Sequence, residues 1–417
     1  MAQSEDLGLK KITDAVVSDC LKLKRKERLF VIVKMEGNEK NFHEGMKIGS
    51  NFLKSAIDSG SEANLFFCKT VDDPNREEDK VFNMIEASWG MHASFKNFRC
   101  LARKLNAGFY SPPEVLVIVS GGGYTGKDIV GRSVGYPIPG SNDKWNSGLS
   151  VLNKFKWKIQ SKLDRRNPMS RTALTYAMPL KKFAKCMGVN YIALARKTKK
   201  LAEIVKDSEK VYVRSKPVYI QGKKLANDIS FEVKREWVEM DDGMCRRPGD
   251  YVNLPTGEVF LTPYSADGTF IADGSIHLDS SYLIRKPFAI IVEKGRYRDF
   301  VADEKMLGLI ENHLRKSREM LKQLKKSRTV SKETLKIYEE NFDRIGELGI
   351  GTNSQAELSE FLIEAEKISG TVHMALGAGY TKERDSVHHE DAVAGARIKI
   401  DVFADRKQII RNSRLVV

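Results

Sequence analysis

Apolar and polar residues alternate along the first half of the chain in two different rhythms. Short continuous apolar runs predict buried strands: they are LFVIV (29–33), NLFFC (64–68), VLVIVS (115–120), YIALA (191–195) and KVYVRS (210–215). Other stretches repeat apolar residues every three or four positions, as one face of a helix does: they are 43–60, 78–106, 170–178 and 197–207. Strands that alternate with helices predict a parallel sheet with helices on its faces.

The pattern changes near residue 225. DISFEVKREWVEM (228–240) alternates as an antiparallel strand does, and short strands separated by Gly, Pro and Asp turns follow as far as Val301. A helical stretch at about 303–343 interrupts this region, and strands return with ARIKIDVFAD (396–405). We therefore predict an α/β N-terminal domain at 1–225, with a parallel sheet and flanking helices, and a β-rich α+β C-terminal domain at 226–417.

Composition narrows the class of protein. The chain has 417 residues, which favours two hydrophobic cores over one, and 41% hydrophobic residues exclude a disordered chain. No apolar run is long enough to predict a membrane span. The five cysteines include no CxxC pair, a pattern typical of reduced thiols. We expect a cytoplasmic protein without a membrane partner.

The net charge of +15 raises the question of nucleic-acid binding. Its basic clusters are 22–28, 196–200 and 315–328. A phosphate-binding surface is one interpretation, and solvated helix faces are the other. Aromatic residues do not alternate with the basic ones. We expect solvated faces, with a non-catalytic basic binding protein as the alternative.

The segment GGGYTGKD (121–128) follows a predicted strand and resembles a phosphate-binding loop. Gly121, Gly126 and Lys127 fit the GxxxxGK pattern, but Asp128 stands where a Ser or Thr would hold magnesium. A carboxylate there would face anionic phosphates. We therefore expect an ordinary glycine-rich turn.

Three of the seven histidines lie between 372 and 391. Residues two apart on a strand point to the same side, so His389 and Asp391 could bind one metal ion. His373 precedes them, and Tyr380 follows a glycine-containing turn. His388 and Glu390 have the same spacing, so spacing alone leaves two candidate pairs.

Two further carboxylates interrupt apolar or glycine-rich segments. Glu258 lies in NLPTGEVFLTP (253–263), and Glu347 opens ELGIGTN (347–353). Burying a carboxylate is costly unless it is paired or bound to a metal ion. Both are therefore candidate ligands, with an ordinary strand-edge glutamate as the alternative interpretation of each one alone.

Together these segments resemble the aminopeptidase T family of metallopeptidases. NLPTGEVFLTP with DGTFIADGSI (267–276) is similar to its first signature, ELGIGTN to its second, and HMALGAGY (373–380) and DSVHHED (385–391) to its third and fourth. The resemblance covers about 226–401. It implies two divalent ions (zinc, cobalt or manganese). Of the two pairs with HxD spacing, it implies that His389 and Asp391 are the ligands. The implied ligands are Glu258, Glu347, His373, Tyr380, His389 and Asp391.

The resemblance also implies an activity. A hydroxide shared by the two ions would attack the first peptide bond of a substrate with a free N-terminus, and Glu258, Glu347 and Tyr380 would act in catalysis. A homodimer is implied as well. Gly257 departs from family members that carry a second glutamate there, which leaves the general base open.

A second enzyme class uses the same scaffold. The 2,5-dihydroxypyridine dioxygenases are similar to this family but hold a single iron. In this chain, Glu258, His389 and Asp391 would form the facial triad of ligands that holds the iron. The complete six-residue set favours the peptidase over this ring-cleaving alternative.

Overall fold

A computed structural model of the protein describes residues 2–35, 39–70, 82–88, 91–95, 114–120, 171–233, 238–327 and 330–417. GGGYTGKD lies outside these residues. Contacts divide the described chain into two compact units. The first unit consists of the described residues between 2 and 120, residues 171–192 and Gly243–Thr256. The second unit consists of the described residues of Ala193–Asp242 and Gly257–Val417.

The first unit is an α/β layer structure. Its helices are α1 (Ala2–Ala15), α2 (Glu39–Asp58) and α3 (Leu180–Met187), and a π-helical turn at Val16–Cys20 follows α1. Its strands are β1 (Arg28–Met35), β2 (Glu62–Thr70), β3 (Phe82–Ser88), β4 (Met91–Phe95), β5 (Val115–Ser120), β6 (Arg171–Tyr176) and β12 (Tyr251–Leu254).

These strands form one sheet, which we call the first sheet, in the order β12-β6-β5-β1-β2-β3-β4 among the described residues. The pairs from β12 to β2 are parallel, and β3 and β4 add an antiparallel edge. The predicted parallel sheet is therefore present. Val31, Val117 and Ala173 are fully buried in its centre, as strands with both faces covered should be.

Three local predictions were wrong. Residues 170–178 were predicted as a helix but contain β6, and 78–106 contain β3 and β4. Strand β6 is buried on both faces, and a short segment of that kind carries no periodicity that separates strand from helix. YIALA, predicted as a strand, begins the helix α4 (Tyr191–Lys206). Tyr191, Leu194, Leu201 and Val205 form its buried stripe.

The second unit consists mainly of antiparallel strands. Its helices after α4 are α5 (Glu304–Ser327), α6 (Lys332–Asn341) and α7 (Leu362–Ala365), with a 3-10 turn at Lys382–Arg384. Its first strands are β7 (Lys210–Ser215), β8 (Val218–Ile220), β9 (Lys223–Leu225), β10 (Asp228–Glu232), β11 (Glu239–Asp241), β13 (Glu258–Leu261), β14 (Ser265–Ala272), β15 (Ser275–His277), β16 (Ser281–Leu283), β17 (Phe288–Glu293) and β18 (Arg296–Val301). The last are β19 (Ile345–Gly351), β20 (Val372–Gly377), β21 (His389–Ala394), β22 (Ile400–Ala404), β23 (Lys407–Arg411) and β24 (Arg414–Leu415).

Among the described residues these strands form two large sheets and the β8-β9 hairpin. The second sheet has the order β18-β17-β14-β10-β7-β22-β23-β24, and the third has the order β11-β13-β19-β20-β21-β15-β16. Every pairing within both is antiparallel. One buried apolar cluster includes residues from both sheets and from α5.

The division into units differs from the boundary predicted at residue 225. Residues 193–225 lie in the second unit because β7 pairs with β10 and β22. Residues 243–256 lie in the first because β12 pairs with β6. Strand pairing between distant segments decides both cases, and a sequence pattern does not specify such pairing.

The helical stretch predicted at 303–343 consists of two helices. Ser331 precedes α6, and its hydroxyl accepts a hydrogen bond from the backbone N–H of Thr334 at 3.0 Å. This N-cap marks a fresh helix start. Ile310, Leu314 and Leu324 of α5 belong to the apolar cluster of the second unit.

Candidate metal centre

The six residues predicted as ligands lie in the second unit. Five of them lie on four neighbouring strands of the third sheet, β13, β19, β20 and β21. Directly paired residues share a face of a sheet. Glu347 pairs with Ala375 and Ala375 with Asp391, so these three form one row. His373 and Glu258 pair with glycines of β19 and face the same side.

Small residues alternate with the polar ones on this face. Gly349 lies opposite His373, and a Cβ at Gly349 would overlap the imidazole ring. Ala375 separates Glu347 from Asp391. Gly349 of ELGIGTN therefore makes room for the histidine, and Ala375 leaves space between two carboxylates.

Glu347 is the centre of the cluster. Its Oε1 lies 3.1 Å from His373 Nε2, and its Oε2 lies 3.1 Å from His389 Nε2 and accepts a hydrogen bond from the Tyr380 hydroxyl. Asp391 Oδ2 is 3.3 Å from His389 Nε2, and Glu258 Oε2 is 3.5 Å from His373 Nε2. All six predicted residues are thus in one contiguous set.

This geometry suits a cation. Ligand atoms bonded at about 2.0–2.2 Å to one ion lie roughly 3.0–3.5 Å apart in tetrahedral or octahedral arrangements. Glu347, His389 and Asp391 form a group whose ligand atoms all lie within 4.8 Å of one another. Asp391 Oδ1, Glu258 Oε2 and His373 Nδ1 are buried and make no hydrogen bond. The donor set fits a divalent metal ion.

Backbone contacts orient two of these side chains. His389 Nδ1 donates to the carbonyl of Ala378 at 2.7 Å, which leaves Nε2 to face the carboxylates. Metal-binding histidines are commonly held in this way. The backbone N–H of Tyr380 donates to Thr262 Oγ1 at 2.8 Å, and its ring packs on Phe260 with centroids 4.8 Å apart. Tyr380 and His389 are partly exposed, whereas Glu347 and His373 are buried.

The carboxylates and imidazoles of these six residues shift the pKa values of one another. Burial opposes ionisation of Glu347, but hydrogen bonds from His373 and His389 outweigh it and hold the pKa of this carboxyl below its usual range. Burial alone would lower the pKa of His373, yet Glu347 raises it to about 9. The pKa of His389 is raised as well, against burial, by Asp391 and Glu347. Without a metal ion, protons on the imidazoles balance the carboxylates.

Sequence reasoning missed one central residue. Lys367 is fully buried, and its ammonium contacts Glu258, Glu366 at 2.9 Å and Asp241 at 3.7 Å. The signal was available in part, because Glu366 and Lys367 interrupt an apolar stretch shortly before His373. Their partners come from distant strands, which no local pattern reveals.

His388 and Glu390, the alternative pair with HxD spacing, face the apolar core and not Glu347. Glu390 pairs with Leu376, which belongs to the apolar core, so His388 and Glu390 face away from Glu347. Glu390 Oε1 is 2.5 Å from Nε2 of His313, a residue of α5. His388, Glu390 and His313 form a second buried group of metal-binding residue types.

Comparisons with known proteins show which solved structures share this fold. No family model and no curated protein matches the chain. Solved structures do match. The 2,5-dihydroxypyridine dioxygenase from Pseudomonas putida KT2440 has a TM-score of 0.59 and 14% identity over 99% of this chain and 98% of that one. Wild-type AmpT (aminopeptidase T) from Thermus thermophilus has a TM-score of 0.56 and 13% identity over 98% and 99%. At such identities the likeness is one of fold, and both relatives in fold are enzymes.

A membrane-spanning helix is not found among the described residues.

Proposed function

We propose that the protein is a metal-dependent aminopeptidase. The observation that carries this proposal is the position of Glu347, whose two carboxylate oxygens contact His373, His389 and Tyr380 while Asp391 adjoins His389. The predicted ligand types thus meet around one carboxylate. Zinc, cobalt or manganese would suit the set. Peptide substrates and a homodimer stay predictions.

The side chains suggest how a peptide would be handled. A bound divalent ion supplies hydroxide near neutral pH and polarises a carbonyl group. Glu347, His389 and Asp391 would hold the ion, and the hydrogen bond from His389 to Ala378 would keep the imidazole oriented. Tyr380 lies partly exposed beside them. Carboxylates outnumber the fixed cations of the cluster, which suits a substrate with a free α-amine.

The test compares two peptides that differ only at the N-terminus. Protein loaded with zinc, cobalt or manganese should release the first residue from a free peptide and should leave its acetylated form intact. Glu347→Gln should abolish this release, because the central carboxylate charge is lost. Glu360→Gln, a matched change at an exposed glutamate, should keep full activity. Equal cleavage by the Glu347→Gln protein would contradict the proposal.

A second candidate is a single-iron ring-cleaving dioxygenase. One histidine and two carboxylates, His389, Glu347 and Asp391, form the compact group. Glu258, the carboxylate predicted for the single-iron set, is instead ion-paired with Lys367. An iron-loaded protein that consumes oxygen with 2,5-dihydroxypyridine and cleaves no peptide would favour this candidate. A protein with neither activity would favour the basic binding protein.

A further inference from the structure

Lys367 is an internal cation beside the candidate metal centre. Its side chain is 1% exposed, although lysine is rarely buried without partners. Burial would lower the pKa of this ammonium, but Glu258, Glu366 and Asp241 outweigh burial and raise it. Contacts with three carboxylates therefore favour the charged form of the Lys367 side chain.

The third sheet requires a cation at this place. Asp241 of β11 pairs directly with Glu258 of β13, so two carboxylates lie opposite each other on neighbouring strands. Like charges in this relation destabilise a sheet. Glu366 adds a third acidic group beside the same ammonium. Lys367 is the ion-pair partner that these three carboxylates share.

The backbone fixes the lysine in position. The carbonyl of Lys367 accepts a hydrogen bond from the N–H of Asn353 at 2.8 Å, and the N–H of Lys367 donates to the carbonyl of Glu364 at 3.1 Å. Asn353 lies two residues after β19, the strand that carries Glu347. The ammonium is therefore built into the same framework as the ligands.

We propose that the ammonium of Lys367 takes the place of a second divalent ion, so that the centre holds one ion, at Glu347, His389 and Asp391. The inference rests on the metal dependence of the proposed function and not on its peptidase chemistry. It revises the prediction of two ions. Glu258 then acts as the partner of Lys367, and His373 as a residue that positions Glu347.

Electrostatics supports this assignment. A second ion held by Glu258 and His373 would share Glu258 with the ammonium, inside a buried region where repulsion between cations is poorly screened. One oxygen of Glu258 is already bound by Lys367, and the other lies 3.5 Å from His373. Among the ion pairs of the described residues, none joins a lysine to Asp391, and Asp391 Oδ1 makes no hydrogen bond.

Metal stoichiometry tests the inference without reference to activity. Full-length protein is stripped with a chelator, loaded with excess Co²⁺ or Zn²⁺, desalted and measured by mass spectrometry of the metal. We expect one ion per wild-type chain and two per Lys367→Met chain, because the substitution frees Glu258. Lys382→Met, the same change at an exposed lysine paired with Glu333, should keep one ion.

Two ions per wild-type chain would overturn the inference, and so would one ion in a folded Lys367→Met protein. If Lys367→Met does not fold, Glu258→Gln decides. We then expect one ion per chain and an affinity within about tenfold of wild type, the size of a mild outer-shell effect. Loss of an ion would overturn the inference. One ion without peptidase activity would reject only the proposed function.

Discussion

Two groups of metal-binding residue types lie at strand β21, one on each of its faces. Glu347, His389 and Asp391 meet on one side, and His313, His388 and Glu390 meet on the other. Residue types and proximity do not distinguish them. The difference lies in how the polar atoms are satisfied.

In the core-facing group every imidazole nitrogen has a protein partner. His388 contacts Glu390 through Nδ1 and the carbonyl of Phe342 through Nε2 at 2.6 Å, while His313 contacts Glu390 and, at 2.8 Å, Asp279. In the group of Glu347, His389 and Asp391 the N···O distances are 3.1–3.3 Å, and a buried Asp391 oxygen makes no hydrogen bond. The first pattern is an ion-paired network within the core, and the second leaves coordination positions for a cation.

The largest expected difference is in metal affinity. Asp391→Asn should weaken metal binding by more than the roughly 100-fold that loss of an outer-shell partner can cost, because a ligand charge is removed. Glu390→Gln, the matched change one residue earlier, should change the affinity less than about tenfold. Isothermal titration with Zn²⁺ measures both. Equal losses in the two variants would mean that the faces do not differ as described.

Stability should respond in the opposite order. Glu390→Gln removes the charge that both His313 and His388 contact, so we expect a loss of about 3–5 kcal/mol in the free energy of unfolding. Asp391→Asn in metal-free protein should lose less, because His389 retains Glu347. Urea unfolding followed by circular dichroism gives both values. A larger loss for Asp391→Asn would contradict the comparison.

Raising the pH should remove the stabilisation that His313 gives to the core-facing group. Burial alone would lower the pKa of His313, but Glu390 and Asp279 raise it to about 9. Its stabilisation is therefore fully present below the unfolded pKa of about 6.5 and is lost as the pH rises through about 9, on the order of 3 kcal/mol. Unfolding of wild type and His313→Gln across this interval measures the loss. The two curves should converge at high pH, and parallel curves would reject the explanation.

Metal affinity should rise over the same pH interval. Burial would lower the pKa of His389, but Asp391 and Glu347 raise it, so this imidazole is protonated without metal and must release its proton when Nε2 binds the ion. We expect the affinity for Zn²⁺ to increase by up to about tenfold per pH unit for each proton released. Titrations in buffers of different ionisation enthalpy count these protons. A pH-independent affinity would exclude this imidazole from the binding event.

The smallest expected effect concerns the room beside His373. Gly349→Ala places a methyl group against its ring, so metal affinity should fall by about tenfold, as outer-shell changes do. Gly308→Ala is the matched control in α5, where a Cβ meets nothing within 4 Å. That change should leave the affinity unaltered and stabilise the helix by about 0.5–1 kcal/mol. Equal affinities in the two variants would show that Gly349 has no part in positioning the histidine.

Local patterns predicted several elements correctly and failed at short apolar segments, of which Arg171–Tyr176 is buried on both faces. The helix predicted at 43–60 is present as α2 (Glu39–Asp58) and the strand at 115–120 was predicted correctly, whereas the strand at Arg171–Tyr176 was not. The division into units also escaped prediction, because the pairings of β7 with β22 and of β12 with β6 join segments far apart in the chain.

By itself, the sequence predicted His389 and Asp391 as a pair that can hold a cation, because residues two apart on a strand point to the same side. Only the tertiary structure decided which of the two spaced pairs faces Glu347, since the core lies against the other face. It also brought Lys367 to Glu258, 109 residues away in the chain. Charge pairing of this kind depends on distances between distant segments, and those exist only once the strands have paired.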